Sequence, residues 1–338
     1  MTAPSSASAD ASSADPSPQE SGDTPAPTAD HEIPDELLQG ATKLAHLPSI
    51  PARLRMLWAS RRILRILVIR DLKVRYADTI LGFAWTFLDP ILLALTYWLV
   101  FGVIIGRGAS NEQPYLLWVL TGIIPFQWTT HVLGDSGRLL GNDAKLVTAS
   151  SMPREIWVLR TVTSRGIEFL FTLPITFLAM ALFALFYDTD TPPCGASSCL
   201  TAMGPSIWLF LLPIAFVVQF IFNVGLGLVL SPTCMLYPDI HRVVRVFSTM
   251  YRYLSPVVYG LATLEVMLNT QGLPPWILRV YELNPMVGIL NAYHAVVFTE
   301  NVDDVIPLLG VAAVLSAALL VLGLFVFRRL EPRVLKEL

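Results

Sequence analysis

Few side chains in this sequence are spaced for catalysis or metal binding. The five histidines stand at positions 31, 46, 131, 241 and 294, and they do not cluster with cysteines or carboxylates at the spacing of metal ligands. His131 and Asp135 are four residues apart, so on a helix they could face each other. The chain also lacks the Gly-x-x-x-x-Gly-Lys-Ser/Thr pattern of a phosphate-binding loop. The sequence therefore predicts no metal site and no nucleotide bound by such a loop.

Two carboxylates, Asp89 and Glu168, lie near the ends of long apolar stretches. An ionisable residue in a membrane segment is a functional candidate, because its charge is costly in hydrocarbon. At a shallow depth the side chain can instead reach the interface or pair with an arginine. Both interpretations stay open from the sequence.

The elements that must position these groups are membrane helices. Of the 338 residues, 54% are apolar and 14% are charged, whereas an ordinary soluble domain carries about 25% charged residues. Residues 1–42 hold eight acids and no Lys or Arg, which predicts an acidic, disordered cytoplasmic tail over residues 1–50. This composition excludes a nucleic-acid-binding domain with a dense basic face. Three cysteines exclude a disulfide-rich scaffold, which leaves an integral membrane protein.

Six windows are long and apolar enough to cross about 30 Å of hydrocarbon. An even number of spans puts both termini on one side, and a cytoplasmic N-terminus leaves only Arg107 and Arg279 outside. The sequence thus predicts an all-α, multi-pass protein of the cytoplasmic (inner) membrane, with a six-span domain over residues 83–330 and a short cytoplasmic C-terminus at 331–338. The windows are Ala84–Gly106, Tyr115–Asp135, Gly166–Tyr187, Ile207–Leu230, Val246–Leu268 and Val305–Phe327.

Basic and apolar residues alternate at helical spacing over residues 51–82, ahead of the first span. A helix with Arg and Lys on one face and apolar residues on the other lies in the interface, where the anionic leaflet attracts its charges. We predict such an amphipathic interfacial helix here, although a basic flank that only orients the first span would have the same composition. The residues predicted to meet lipid headgroups are Arg62, Arg65, Arg70, Lys73 and Arg75.

The fifth window and the segment after it contain residues that end helices. Pro256 and Gly260 interrupt the window, and prolines divide residues 269–304 into short apolar pieces. This pattern predicts re-entrant helices between spans five and six. Irregular backbone at membrane depth is tolerated only inside protein or beside a water-filled cavity, so an aqueous path is expected nearby.

Three motifs, in order along the chain, resemble those of one transporter family. They are Arg70–Tyr76 followed by Thr79–Trp85, then Met152–Ile156, then Leu254–Tyr259 followed by Asn284–Met286. From about residue 60 to 330 the chain resembles the permease of ABC-2 polysaccharide exporters, which handle O-antigen, teichoic acid and galactan. Residues 331–338 and the acidic tail resemble the mycobacterial-type galactan-precursor permease.

The resemblance implies a transport subunit rather than an enzyme. It implies a homodimer that binds two copies of a cytoplasmic ABC ATPase and moves a lipid-linked polysaccharide. ATP and Mg would bind to the ATPase, so this chain would need no cofactor and would hydrolyse no ATP by itself. Two alternatives stay open, namely an ABC-2 exporter of a drug or small lipid, and a membrane lipid or glycan transferase. The transferase would need a His, Asp and Glu cluster at a membrane face, which the sequence does not offer.

Three sets of functional side chains follow from the residues and the resemblance. The loop Asn142–Glu155 would contact the ATPase, with Pro153 and Glu155 starting a helix that exposes Arg154 toward the cytoplasm. The alternative for Arg154 is an internal pair with Glu155 or Glu168. Aromatic rings suit a glycan path because sugar C–H faces stack on them, although the same rings could form the belt of a bilayer interface. The coupling set is Lys145, Pro153, Arg154 and Glu155; the channel set is Trp85, Tyr97, Phe101, Tyr251, Tyr253 and Tyr259; the gate set is Ser255, Pro256, Asn284 and Pro285.

Cys194 and Cys199 lie in a loop predicted to face outward, far from Cys234. Disulfides persist outside the cytoplasm, and a Pro/Gly-rich loop can bring two Cα atoms within the roughly 5–6 Å that a disulfide needs. We predict a Cys194–Cys199 disulfide, with two free thiols as the alternative.

Overall fold

A computed structural model describes residues 50–77, 79–105, 115–149, 152–186, 207–298 and 305–337. The predicted acidic tail and the predicted Cys194–Cys199 disulfide lie outside these ranges. Within them every regular element is a helix, as the apolar windows predict. In chain order the helices are α1 (Ile50–Ala59), α2 (Arg61–Tyr76), α3 (Trp85–Tyr97), α4 (Tyr115–Ser136), α5 (Leu139–Asn142), α6 (Ala144–Ala149), α7 (Glu155–Phe186), α8 (Leu211–Leu236), α9 (Pro238–Tyr253), α10 (Leu261–Thr270), α11 (Trp276–Glu282), α12 (Pro285–Val297) and α13 (Val305–Glu337).

Five helices among the described residues are long and apolar enough to cross a membrane, which identifies a multi-pass membrane protein. The first of them joins a 3₁₀ turn, α3 and a π-helical end into one segment, Gly82–Ile104. The others are α4, α7, α8 and α13. These five coincide with the first four predicted windows and the sixth.

The predicted fifth span, Val246–Leu268, is wrong as a single helix. Helix α9 ends at Tyr253 and α10 begins only at Leu261. The chain turns at Ser255, whose carbonyl accepts from Val257 N–H at 2.7 Å, and Pro256 there has no N–H to continue a helix. The structure therefore supports five candidate spans, and re-entry of α10–α12 into the membrane stays a prediction.

Helix α12 is short but deeply buried. Eleven of its residues, from Met286 to Val297, are buried, and it lies against α13, α8 and α4. A side chain at Gly288 would collide with α13, because a Cβ there would lie 2.2 Å from the carbonyl oxygen of Leu308. Helices α8 and α13 also approach closely, since a Cβ on Gly323 would lie 2.7 Å from the carbonyl oxygen of Gly225. Glycine at these positions permits backbone-to-backbone packing, as is common between membrane helices.

Both ends of the predicted domain plan change. The amphipathic segment 51–82 forms two helices, α1 and α2; α2 packs on α7, and its Val68 is buried. The C-terminus predicted as a separate piece, 331–338, instead continues α13 as far as Glu337. Glu331 and Val334 are buried, so these last turns belong to the packed body.

Candidate functional site: a charged junction and the cavity beside it

The end of α2 is bound to α7 by Arg75. Its Nη1 lies 2.9 Å from Oε1 and 3.1 Å from Oε2 of Glu168, and its Nη2 lies 2.9 Å from Oδ2 of Asp71. Asp71 and Arg75 are one turn apart on the face of α2 that also carries Val68, and this face turns toward α7. The prediction that Arg75 meets lipid headgroups is therefore wrong. Of the two interpretations open for Glu168, the structure supports pairing with arginine.

Arg165 holds the same carboxylate from the other side. Its Nη1 lies 2.9 Å from Oε2 of Glu168, and its Nη2 lies 2.6 Å from Oδ2 of Asp135. Glu168 thus sits between two guanidinium groups, with only 6% of its side chain exposed. Asp135 bonds to Arg165, and not to His131 as the spacing of four had suggested.

A third arginine extends these contacts to the loop before α7. Arg160 Nη2 lies 2.7 Å from Oδ2 of Asp143, between α5 and α6, and the hydroxyl of Ser164 donates to Asp71 at 2.6 Å. Charged hydrogen bonds thereby join α2, α4, α7 and that loop. We call this cluster the charged junction; its members are Asp71, Arg75, Asp135, Asp143, Arg160, Arg165 and Glu168.

A cavity of about 320 Å³ opens on one side of the junction. Tyr76 closes one wall, where its hydroxyl oxygen accepts from Thr86 at 2.6 Å. Burial raises the pKa of Tyr76, so the phenol stays neutral. We call this space the aromatic cavity; with the Arg75, Arg165 and Glu168 wall, its lining includes Tyr76, Trp85, Asp89, Gln127, Trp128 and His131.

A second cavity of about 330 Å³ lies on the other side of the junction and is lined mainly by charged residues. Arg138 stands at its edge, and its Nε donates to Nε2 of His241 on α9 at 3.2 Å. Burial, together with the charges of Arg138 and Arg245, lowers the pKa of His241. A neutral imidazole can accept this bond, which ties α9 to the end of α4.

The predicted coupling set has a different environment from the one expected. Helix α7 begins at Glu155, directly after Pro153, as predicted. Arg154, however, does not point into solvent, because its Nη1 lies 2.9 Å from Oε1 of Glu331 on α13. Glu155 is 2% exposed, whereas Lys145 on α6 is exposed. The prediction of an exposed Arg154 is wrong, and contact of this set with an ATPase stays a prediction.

Four of the five predicted headgroup residues do face outward. Arg62, Arg65, Arg70 and Lys73 are exposed on α2. Exposed apolar side chains accompany them, among them Ile66 at 65%. This mixed surface suits a membrane interface, and its lipid contact stays a prediction.

The predicted channel set does not line one surface of the chain. Trp85 borders the aromatic cavity, while Tyr97 stacks on Phe101 with ring centroids 5.9 Å apart and lies beside Arg252 and Tyr253. Tyr251 is buried and stacks on Phe247. Tyr259 donates its hydroxyl to the carbonyl of Tyr253 at 2.6 Å, so its hydroxyl closes a turn.

The predicted gate set does come together. Asn284 caps α12 by accepting from the N–H of Met286 at 3.1 Å, and Pro285 follows as the first helical residue. The Asn284 amide nitrogen also donates to the Ser255 hydroxyl at 3.4 Å. The Tyr251 hydroxyl donates to Oδ1 of Asn284 at 2.7 Å. With Pro256 buried in the same turn, these contacts fasten the break after α9 to the start of α12. A gating role stays a prediction.

Sequence reasoning missed most of the junction. Asp71, Arg160 and Arg165 are not among the predicted site residues, and Gln127 and Trp128 belong to no recognisable motif. The available signal was pairing within single helices: Asp71 with Arg75 is an i,i+4 pair and Arg165 with Glu168 is an i,i+3 pair. Among the described residues, no group of three His, Cys, Asp or Glu side chains is placed to hold a metal ion.

The chain is similar to permeases of O-antigen export systems. It is 27% identical over 260 residues to the O-antigen export system permease protein RfbA of Myxococcus xanthus, covering 77% of this chain and 89% of that protein. Two Klebsiella pneumoniae proteins of the same name are 24% and 23% identical over 272 and 273 residues, which is 80% of this chain and 93% of each relative. No protein-family model matches the chain. These similarities support the resemblance to polysaccharide-exporter permeases.

Proposed function

We propose that this chain is the permease subunit of an ATP-driven exporter that moves a lipid-linked polysaccharide across the cytoplasmic membrane. The observation that carries the proposal is the similarity to three O-antigen export permeases over about four-fifths of the chain. The five candidate spans are consistent with it. The finer parts of the proposal are a galactan precursor as cargo, a homodimer, and both termini in the cytoplasm.

The proposed energy source is a separate ABC ATPase, bound in two copies where α5, α6 and the start of α7 lie. Asp143 in this region bonds to Arg160 of α7, and α7 bonds to α2 through Glu168 and Arg75. Movement imposed on α5 and α6 would therefore reach α2 through continuous charged contacts. Exposed Lys145 is the proposed contact to an ATPase carboxylate, and Arg154 is proposed to hold the loop in position through Glu331.

Depletion of the protein in the cells that encode it tests the transport function. Lipid-linked polysaccharide should accumulate on the cytoplasmic side, where a lectin added outside spheroplasts cannot reach it. Plasmid-borne wild-type protein should restore lectin access. Undiminished export after depletion would contradict the proposal. Sugar analysis of the accumulated glycan tests the finer part, because a glycan without galactose would contradict the galactan precursor alone.

Copurification tests the partner. The purified permease should hydrolyse no ATP, and the tagged permease should bring down an ABC ATPase. Lys145→Glu should reduce the amount recovered, because it reverses the charge at the proposed contact. Lys73→Glu is the matched control, since Lys73 is also exposed but lies on α2, outside the proposed interface. If both variants copurified the same amount of ATPase, the proposal that Lys145 contacts the ATPase would be contradicted.

A further inference from the structure

We propose that the aromatic cavity binds a sugar ring, and that it is a saccharide subsite of the transporter. The inference rests on the proposed function in one respect, since the sugar would belong to the exported polysaccharide. The residues that line the cavity are what indicate that a sugar binds there. The volume of about 320 Å³ lies at the small end of the range for small-molecule sites, about 300–1,000 Å³. The cavity is bounded by the start of α3, by α4 and by α7, away from the turn formed by the predicted gate set.

Three polar side chains on the cavity wall have no partner in the part of the chain that the structure describes. Among the described residues, the side chains of Asp89, Gln127 and His131 make no hydrogen bond or ion pair, although all three line the same space. Together they offer a carboxylate acceptor, an amide that both donates and accepts, and an imidazole. A group that donates and accepts at once would satisfy them, and the hydroxyls of a sugar do so.

The aromatic lining supplies the flat surface that a sugar ring needs. Trp85 lines the cavity, and 38% of the residue is exposed in the isolated chain. Trp128 on another part of the lining is 2% exposed and fixed, because it packs against Phe169 and Phe216 at centroid distances of 5.3 and 5.0 Å and its indole N–H donates to the Val162 carbonyl. A rigid wall and a more accessible ring are suited to stacking on the C–H face of a sugar.

The charge of the lining favours a neutral sugar over a phosphate. Arg75 and Arg165 are the cations that line this cavity, and both are bound to Glu168 and to a second carboxylate. Asp89 adds a negative charge without a cation partner among the described residues. A phosphate would have to displace Glu168 from its two guanidinium groups, whereas sugar hydroxyls can bond to Asp89 directly.

Binding of neutral tetrasaccharides to the purified full-length protein in nanodiscs tests the inference. Galactotetraose, mannotetraose and cellotetraose are the probes, and binding is measured by tryptophan fluorescence and by calorimetry. At least one should give a saturable signal, and inorganic phosphate should not displace it. Trp85→Phe should diminish the fluorescence change, while Trp276→Phe, on exposed α11, should leave it intact. Absence of binding by all three, or displacement by phosphate, would overturn the inference.

Leucine substitutions locate the site. Gln127→Leu and His131→Leu should each raise the half-saturation concentration about tenfold, the effect of about 1.4 kcal/mol for a lost hydrogen bond. Both variants should fold, because neither side chain bonds to another part of the described protein. Gln271→Leu, at an exposed position after α10, is the control and should bind as the wild type does. Unchanged binding in both cavity variants would overturn the assignment.

The export assay separates failure of this site from failure of the proposed function. If depletion of the protein leaves export intact, the exporter proposal fails, and tetrasaccharide binding at the cavity still stands or falls by the titrations. Suppose instead that depletion blocks export, that the Gln127→Leu and His131→Leu variants restore export in depleted cells, and that both bind tetrasaccharide like the wild type when purified. That result would contradict the subsite and leave the exporter proposal standing.

Discussion

Two regions of this protein hold helices together by opposite means. Where α12 and α8 meet α13, the contact depends on the absence of side chains. A Cβ on Gly288, Gly225 or Gly323 would come within 2.2–2.9 Å of backbone atoms of the neighbouring helix. At the charged junction, the contact between α2, α4 and α7 depends on long side chains that meet as ions.

The two regions face different physical constraints. In lipid, apolar burial gives little drive for helices to associate, so close backbone packing through small residues does that work. The glycine contacts depend on close backbone packing and involve no charged side chain, so gain or loss of a charge does not break them. The junction is different, because Glu168 pairs with two arginines at once. Removal of its charge leaves Asp71 as the nearest carboxylate to Arg75 and Asp135 as the nearest to Arg165, and each largely buried guanidinium then lacks one of its carboxylate partners. We infer that the glycine contacts form the fixed part of the bundle, and that the junction is the part through which movement passes.

Loss of the shared carboxylate should have the largest effect. Glu168→Gln should lower the free energy of unfolding by about 3–5 kcal/mol, because Arg75 and Arg165 both lose their common partner in a buried position. SDS titration of the purified protein measures this difference. Asp239→Asn is the control, since Asp239 and Arg242 are 94% and 84% exposed and 3.9 Å apart, and its unfolding should not change measurably. Equal stability of Glu168→Gln and wild type would mean that the junction does not hold α2.

Filling the glycine contact should have the next largest effect. Gly288→Ala should destabilise the protein by about 1–3 kcal/mol, because the added methyl group meets the backbone of α13 and the helices must separate. Gly310→Ala is the matched control on α13 itself, where a Cβ meets no atom within 4 Å. Alanine there should be neutral or stabilising, since it favours helix more than glycine does. If both variants changed the free energy of unfolding in the same direction in the SDS titration, steric packing at Gly288 would be contradicted.

The Arg154–Glu331 pair should contribute least of the three. Its side chains are 19% and 8% exposed, and it joins the start of α7 to the end of α13. A double-mutant cycle with Arg154→Ala and Glu331→Ala should give a coupling energy of about 1 kcal/mol. Arg154→Lys should keep part of it, since one charged contact remains. Additive effects of the two alanine variants would show that the pair is not coupled.

The helices could be predicted from the sequence because their signals are local. Uninterrupted apolar windows located α3, α4, α7, α8 and α13, and Pro153 followed by Glu155 marked the start of α7. The single fifth span failed because its average apolarity masked the turn at Ser255 and Pro256. Pro256 is the local signal for this turn, because proline has no N–H to continue a helix.

The junction could not be predicted from the same signals. Glu168 and Arg75 are 93 residues apart, and Arg154 and Glu331 are 177 residues apart. A single sequence shows which charges are available, but not which helices meet. Helical spacing did assign Arg62, Arg65, Arg70 and Lys73 to an exposed surface. It also assigned Arg75 to that surface, because helical spacing alone does not show that α2 contacts α7.

Reconstitution into vesicles tests the central proposal most directly. Permease and copurified ATPase are placed in proteoliposomes with fluorescent lipid-linked polysaccharide in the outer leaflet, and the fraction hidden from an external lectin is followed after addition of ATP and Mg. The proposal predicts inward transfer that needs both subunits and stops when ADP replaces ATP. Transfer by the permease alone, or no transfer by a complex that still hydrolyses ATP, would contradict it.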